Sequence, residues 1–96
     1  MISKTRYMDI LKCICRYYGI TQDKLIELVQ SKEYRYMLLL ILKNNNCLDA
    51  EEIKNILQVK SIRSVSNNVK SAEKTLLINS DFRRKFFDLE DNIEKM

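Results

Sequence analysis

Residues Leu48 to Ile78 read LDAEEIKNILQVKSIRSVSNNVKSAEKTLLI. Two apolar patterns of helical period lie in this stretch, one short and one long, joined by a few residues that fit neither. Asp49 with Glu52 three positions later has the spacing of a capping box, with Asp in place of Ser or Thr. It predicts a short helix to about Gln58, with Ile53, Ile56 and Leu57 inward and Glu51, Lys54 and Asn55 in water. Ser61 then serves as the cap of a longer helix to about Ile78. At about 100° per residue, Ile62, Val65, Val69, Ala72 and Leu76 fall within a sector of about 80°, a core-facing stripe. A short capped helix, a tight turn and a longer helix form the helix-turn-helix arrangement.

The opposite face of the long helix carries Arg63, Asn67, Lys70, Ser71 and Lys74 and no acid, with Glu73 beside the apolar stripe. Residues 54–74 hold five cations (Lys54, Lys60, Arg63, Lys70, Lys74) against one anion (Glu73), which accounts for the whole net charge of +4. Such a local basic field attracts polyanions through phosphate neutralisation and counterion release. A helix-turn-helix seats its second helix in the major groove, so the expected partner is double-stranded DNA. Arg63 can bond guanine at two atoms and Asn67 can do the same with adenine, while Ser61 or Ser64 can hold a phosphate. Lys60, Lys70 and Lys74 suit phosphates. Phosphate contact by Arg63 and Asn67, or a merely solvated basic face, are the competing readings.

The rest of the chain is read around this unit. The sequence has 96 residues, 46% hydrophobic and 31% charged, with one glycine and no proline. That length suits one small domain, and the lack of turn punctuation argues against a many-stranded sheet. The predicted fold is all-α, a bundle of about six helices in a single domain. Tyr7, Ile10, Leu11, Ile14, Tyr17 and Tyr18 form a stripe that stops at Gly19, the one glycine available for a left-handed closing residue. Thr21 caps a second helix through Gln30, with Leu25, Ile26, Leu28 and Val29 inward. Ser31 caps a third, apolar nearly all round from Tyr34 to Lys43, which makes it the central helix. Asn44 to Asn46 ends it. Asn79 and Ser80 precede a last helix with Phe82, Phe86, Leu89 and Ile93 on its inner side.

Several function classes are disfavoured. There is no histidine, hence neither the commonest general base nor the commonest metal ligand, and no phosphate-cradling glycine loop. The chain reads as a non-enzyme without a cofactor. Cys13, Cys15 and Cys47 are odd in number and suit small buried apolar roles in a reducing compartment. The apolar run Met37 to Leu42 is far shorter than a membrane span of roughly 20 residues. The first twelve residues carry charges and do not resemble a secretory signal, so a cytoplasmic location without membrane attachment is expected. The tyrosines at 7, 17, 18, 34 and 36 favour core packing over base stacking, and the basic run Phe82 to Phe86 is read equally as a DNA flank or a solvated face.

Taken together, YYGITQDKLIEL, SKEYRYMLLLILK, LDAEEIKNIL, SIRSVSNNVKSAEKTL and NSDFRRKF resemble the DNA-binding carboxy-terminal domain of the bacterial replication initiator DnaA, a Trp-repressor-like helix-turn-helix, over roughly residues 14–89. Leu48, Glu52 and Ile53 match the family's Leu-x-x-x-Glu-Ile segment, and Val65 and Glu73 match positions in its recognition helix. The resemblance implies phosphate contacts from a basic loop and a central-helix arginine, loosely matched by Lys32 and Arg35; pairing with acids such as Glu33 is the alternative. Where the family carries Gly-Gly-Arg-Asp-His-Thr-Thr, this chain has Lys60, Ser61, Ile62, Arg63 and Ser64, without the Asp-His pair. It therefore implies a stand-alone relative with a different target, in which Arg63 and Asn67 take over base contact. The runner-up expectation is a protein-interaction module with the apolar third helix as its docking anchor. Homodimerisation is left open.

Overall fold

The computed structural model describes residues 4–95, with side chains from Arg6 onward. The part of the secretory-signal reading that falls on residues 1–3 lies outside them. Six helices follow in order: α1 Lys4–Tyr18, α2 Gln22–Leu28, α3 Lys32–Asn44, α4 Ala50–Leu57, α5 Ile62–Ile78 and α6 Ser80–Glu94. No strand occurs among the described residues, so the chain is a small all-α bundle.

The apolar spacing explains how these helices assemble. Met37, Leu38, Leu39, Leu40, Ile41 and Leu42 are all buried, since α3 is packed on three sides by α1, α5 and α6. Six consecutive buried residues leave no polar face, which makes α3 the centre. The short α4 packs on α5 through Ile53 and Leu57, and α6 returns across the bundle with Phe82, Phe86, Leu89 and Ile93 buried. The tyrosine hydroxyl of Tyr17 donates to Asp88 Oδ2 at 2.8 Å, tying α1 to α6. Tyr18 stacks edge-on against Tyr17 and Tyr34, each with ring centroids 5.1 Å apart. Cys13, Cys15 and Cys47 are buried free thiols. Burial pushes the Cys13 and Cys15 thiols up, which favours their neutral form.

Three helices end the same way, although only one has a glycine to do it with. After α1, Gly19 (φ +67) donates to Arg16 and Ile20 to Cys15; after α3, Asn46 (φ 58) donates to Lys43 and Cys47 to Leu42. After α4, Gln58 (φ 58) donates to Asn55 and Val59 to Lys54. Each pair is a Schellman closure, in which a left-handed residue turns the chain and satisfies two terminal carbonyls. Asn tolerates that conformation, whereas Gln there is strained.

Several boundaries and facings correct the sequence expectations. Helix α2 ends at Leu28 rather than Gln30, because Gln30 and Ser31 turn back in three-residue bonds to Glu27 and Leu28. Ser31 precedes α3 without a side-chain cap bond. Asp49 does cap α4, but its carboxylate accepts from the Glu51 amide at 3.1 Å, one residue short of the position the box requires. Asn79 alone separates α5 from α6: its N–H bonds Thr75 at 2.9 Å and its Oδ1 accepts from Phe82 at 3.0 Å, so Ser80 is already helical. Ile26 (42% exposed) and Ile62 (44%) are not core residues. Ile62 lies at the margin of its apolar stripe, and Ile26 lines a partly open pocket with Tyr7, Leu11 and Ile56.

Candidate nucleic-acid interface

The placement of α5 follows from its ends and its neighbours. Ser61 sits in extended backbone before the helix, and its Oγ accepts from the Ser64 amide at 3.2 Å. The two hydroxyls lie 3.3 Å apart, so both serines serve first in the cap. The turn from α4 is Gln58, Val59, Lys60 and Ser61, four residues opened by the left-handed Gln58. Val65, Val69 and Ala72 are buried beneath α5, Leu76 is partly so, and α3, α4 and α6 pack against it. A helix held by three neighbours on one side keeps the other side free.

On that free side stand Arg63, Asn67, Lys70, Ser71 and Lys74, all exposed, with Lys60 exposed in the turn before them. From Arg63 to Lys74, eleven steps of about 1.5 Å, the ridge is roughly 16 Å long, the length of about five base steps at 3.4 Å. Among the described residues, the side chains of Lys60, Arg63, Asn67, Lys70, Ser71 and Lys74 make no ion pair and no hydrogen bond. No acid stands in the first turn of α5, and the partial positive charge of a helix start adds to that of Lys60 and Arg63 there.

Several other cations are tied into the fold, whereas Lys12, Arg16 and Lys32 are exposed as the ridge is. Lys43 pairs with Glu73 at 2.9 Å, Lys54 with Glu51 at 3.3 Å and Lys85 with Glu33 at 2.9 Å. The hydrogen bond that Lys85 donates to the Glu33 carboxylate raises its ammonium above its usual value. Arg83 donates to the carbonyls of Leu76 (3.1 Å) and Leu77 (2.9 Å) near the end of α5, and Arg84 pairs with Asp81 at 2.9 Å. Every cation in Phe82 to Phe86 thus has an internal partner. Lys43 also neutralises Glu73, the one acid close to the ridge on α5.

Arg35 has a role that the sequence did not disclose. Its Nε donates to Val29 O at 3.0 Å, Nη2 to Gln30 O at 2.8 Å and Nη1 to Asn68 Oδ1 at 3.3 Å. Asn68 in turn donates to Ser64 O at 2.8 Å. The guanidinium therefore satisfies carbonyls after α2 and ties them to α5. Lys32 is exposed, has no bonded partner among the described residues, and lines a 420 Å³ cleft with Thr75 and Asn79 from the far end of α5. That cleft borders the carboxy-terminal end of α5, the opposite end of the helix from Lys60 and Arg63. Ile62, turned outward beside Arg63, is the residue of this face that sequence reasoning assigned elsewhere; its position at the edge of the stripe was the available signal.

The apolar third helix expected to anchor a partner is itself core. The most exposed large apolar side chains among the described residues stand instead at the end of α5 and on α6, where Leu77 is 77% exposed, Ile78 74% and Phe87 56%. No helix among the described residues is long and apolar enough to cross a membrane. No family model matches the chain, and neither a curated protein nor a solved structure matches it.

Proposed function

We propose that this chain is a sequence-preferring double-stranded DNA-binding protein, a small regulator or an accessory factor of replication or transfer, acting in the cytoplasm by binding rather than catalysis. One observation carries the reading: an exposed row of cations and an amide, unengaged by the described protein groups, on the outer face of the second helix of a short helix, turn and long helix. Elsewhere basic side chains such as Arg35, Arg83 and Lys85 are tied into the fold. An ordinary solvated surface gathers acids and bases together, as the α6 pairs do. A ridge of one sign suits a polyanion.

In this reading Lys60, Lys70 and Lys74 neutralise phosphates, with Ser71 and Lys32 along the edge. Arg63 and Asn67 meet base edges in the major groove. Ile62 adds an apolar contact suited to a thymine methyl group. Ser61 and Ser64 hold the helix start, and Ser61 remains exposed enough to touch a phosphate. Arg35 leaves the contact set and becomes a positioning residue. The likeness to the initiator's DNA-binding domain supports the same reading from the sequence pattern alone.

Anisotropy titration of a labelled random-sequence duplex across a salt series tests it. Neutralising three or four phosphates predicts a slope of log affinity against log salt of roughly −3 to −4. A flat salt dependence, or no binding at low salt, removes the proposal.

A further inference from the structure

Between α1, α2, α3 and α4 lies a partly enclosed pocket of about 220 Å³, to which α5 contributes no residue. Leu11, Leu25 and Leu38 give it a buried aliphatic floor. Met8 and Ile26, 39% and 42% exposed, mark its open side, and Ile56 borders it from α4. No charged side chain lines it. Its polar side-chain groups come from Gln22, which is exposed, and from Tyr7, which is only 5% exposed. The Tyr7 hydroxyl has no hydrogen-bond partner among the described residues. It is not sealed in the core either, since no fully buried side-chain oxygen or nitrogen is left unpaired there. The pocket is the open space that Tyr7 lines.

We infer that this pocket binds a small uncharged molecule, of the size of one ring with a short substituent, whose single polar group meets the Tyr7 hydroxyl. The volume sets the size. A cavity of about 150 Å³ lined by Leu, Ile and Phe takes up one benzene, so 220 Å³ leaves room for a ring and a few further atoms. A partner helix would need several anchors spaced along a groove, and here there is one recess. The lining sets the polarity: covering aliphatic walls is favourable, whereas an ion would lose its hydration against them with no opposite charge in the lining.

The surroundings of Tyr7 narrow the class further. The charges that act on it are carboxylates, Glu52 and Asp49, so an anionic head group is repelled as well as poorly solvated. Burial first, and those carboxylates next, keep the phenol neutral. A neutral hydroxyl both donates and accepts, which suits an alcohol or a carbonyl on the bound molecule. The DNA reading does not enter this inference, since the ridge stands on α5.

Methyl-resolved NMR titration of the full chain, without DNA, with toluene, benzyl alcohol, benzoate and benzylammonium tests the inference. Toluene and benzyl alcohol should shift the methyl signals of Met8, Leu11, Leu25, Ile26, Leu38 and Ile56 saturably, with dissociation constants of roughly 0.1–5 mM. Those of Leu77 and Ile78 at the end of α5 should stay in place. Benzoate and benzylammonium should bind at least about tenfold more weakly. Tyr7→Phe should weaken benzyl alcohol by about two- to tenfold and leave toluene within about twofold. Ile26→Trp should fill the open side and abolish binding of both neutral probes; Met8→Trp replaces it if circular dichroism shows that it does not fold. No saturable shift with either neutral probe, shifts centred on other residues, or binding that persists in the folded tryptophan variant overturns the site. Charged probes that bind as well as the neutral ones overturn the ligand class, and benzyl alcohol binding unchanged by Tyr7→Phe overturns the part given to Tyr7.

Discussion

Replacing Arg35 with Ala separates a structural arginine from a DNA contact. The guanidinium donates to Val29 O, Gln30 O and Asn68 Oδ1 at 3.0, 2.8 and 3.3 Å. A hydrogen bond to a charged group contributes about 1.5–3 kcal/mol, and a buried acceptor left unpaired costs about 1–3 kcal/mol. These groups are partly exposed, so water recovers some of the loss, and the 3.3 Å bond is weak. A net destabilisation of about 2–3 kcal/mol follows, a large share of the 5–15 kcal/mol typical of a domain. Arg35→Lys keeps the charge but has no planar fork to span three acceptors, and should recover less than half of the loss. Urea denaturation followed by circular dichroism reads both values. At a temperature where the variant is fully folded, its affinity for DNA should fall by no more than twofold or so, far below the effect of removing a base-reading arginine. Destabilisation under about 0.5 kcal/mol, or a large affinity loss in a fully folded Arg35→Ala, would refute the assignment.

Arg63→Ala should cost about 1–3 kcal/mol of binding and relax preference at one base pair, whereas Lys74→Ala should weaken all sequences alike and reduce the salt slope by about one; competition titrations against a selected site and its single-base variants distinguish the two. Neither should alter the melting temperature, since both side chains are exposed and unbonded among the described residues. Ser61→Ala removes the α5 cap and should lower stability by about 1 kcal/mol, while Ser61→Asp keeps a capping acceptor and instead weakens DNA binding by setting an anion at the basic end. Gln58→Gly should raise stability by about 1 kcal/mol in denaturant titration, because glycine adopts the left-handed backbone without strain. Burial, together with nearby Glu52 and Asp49, pushes the Tyr7 hydroxyl up to about 12, from an ordinary value near 10. Tyr18 is also raised, by burial first and by Glu33 next. The unfolded chain therefore releases these protons before the folded one does, so stability is intact below pH ~10 and declines as pH rises from there towards 12. Tyr7→Phe should flatten part of that decline.

The helices were legible because their causes are local. The period of Val65, Val69 and Ala72, the cap at Ser61 and the apolar run of α3 each act within a few residues, so a linear reading captures them. The outward ridge was legible for the same reason, as the complement of the buried stripe on α5. Other features depend on which helix lies opposite. Ile26 and Ile62 satisfy the helical period yet stay exposed, since an apolar residue is buried only if a neighbour arrives to cover it. Arg35 resembled a free cation until α2 brought its terminal carbonyls within 3.0 Å and α5 brought Asn68. The α6 cations likewise found partners 6, 7 and 52 residues away in sequence. Left-handed closure at Gln58 was hidden because the residue is a poor choice for it, and only the surrounding packing holds it there.

The central claim is that the α5 ridge reads DNA. Selection of bound duplexes from a random pool by the wild-type chain, repeated with Arg63→Ala and Asn67→Ala, tests it most directly. A short enriched motif containing a guanine that loses its weight with Arg63→Ala, and an adenine that loses it with Asn67→Ala, is the predicted result. A pool that stays random, or a motif that both variants reproduce unchanged, would contradict it.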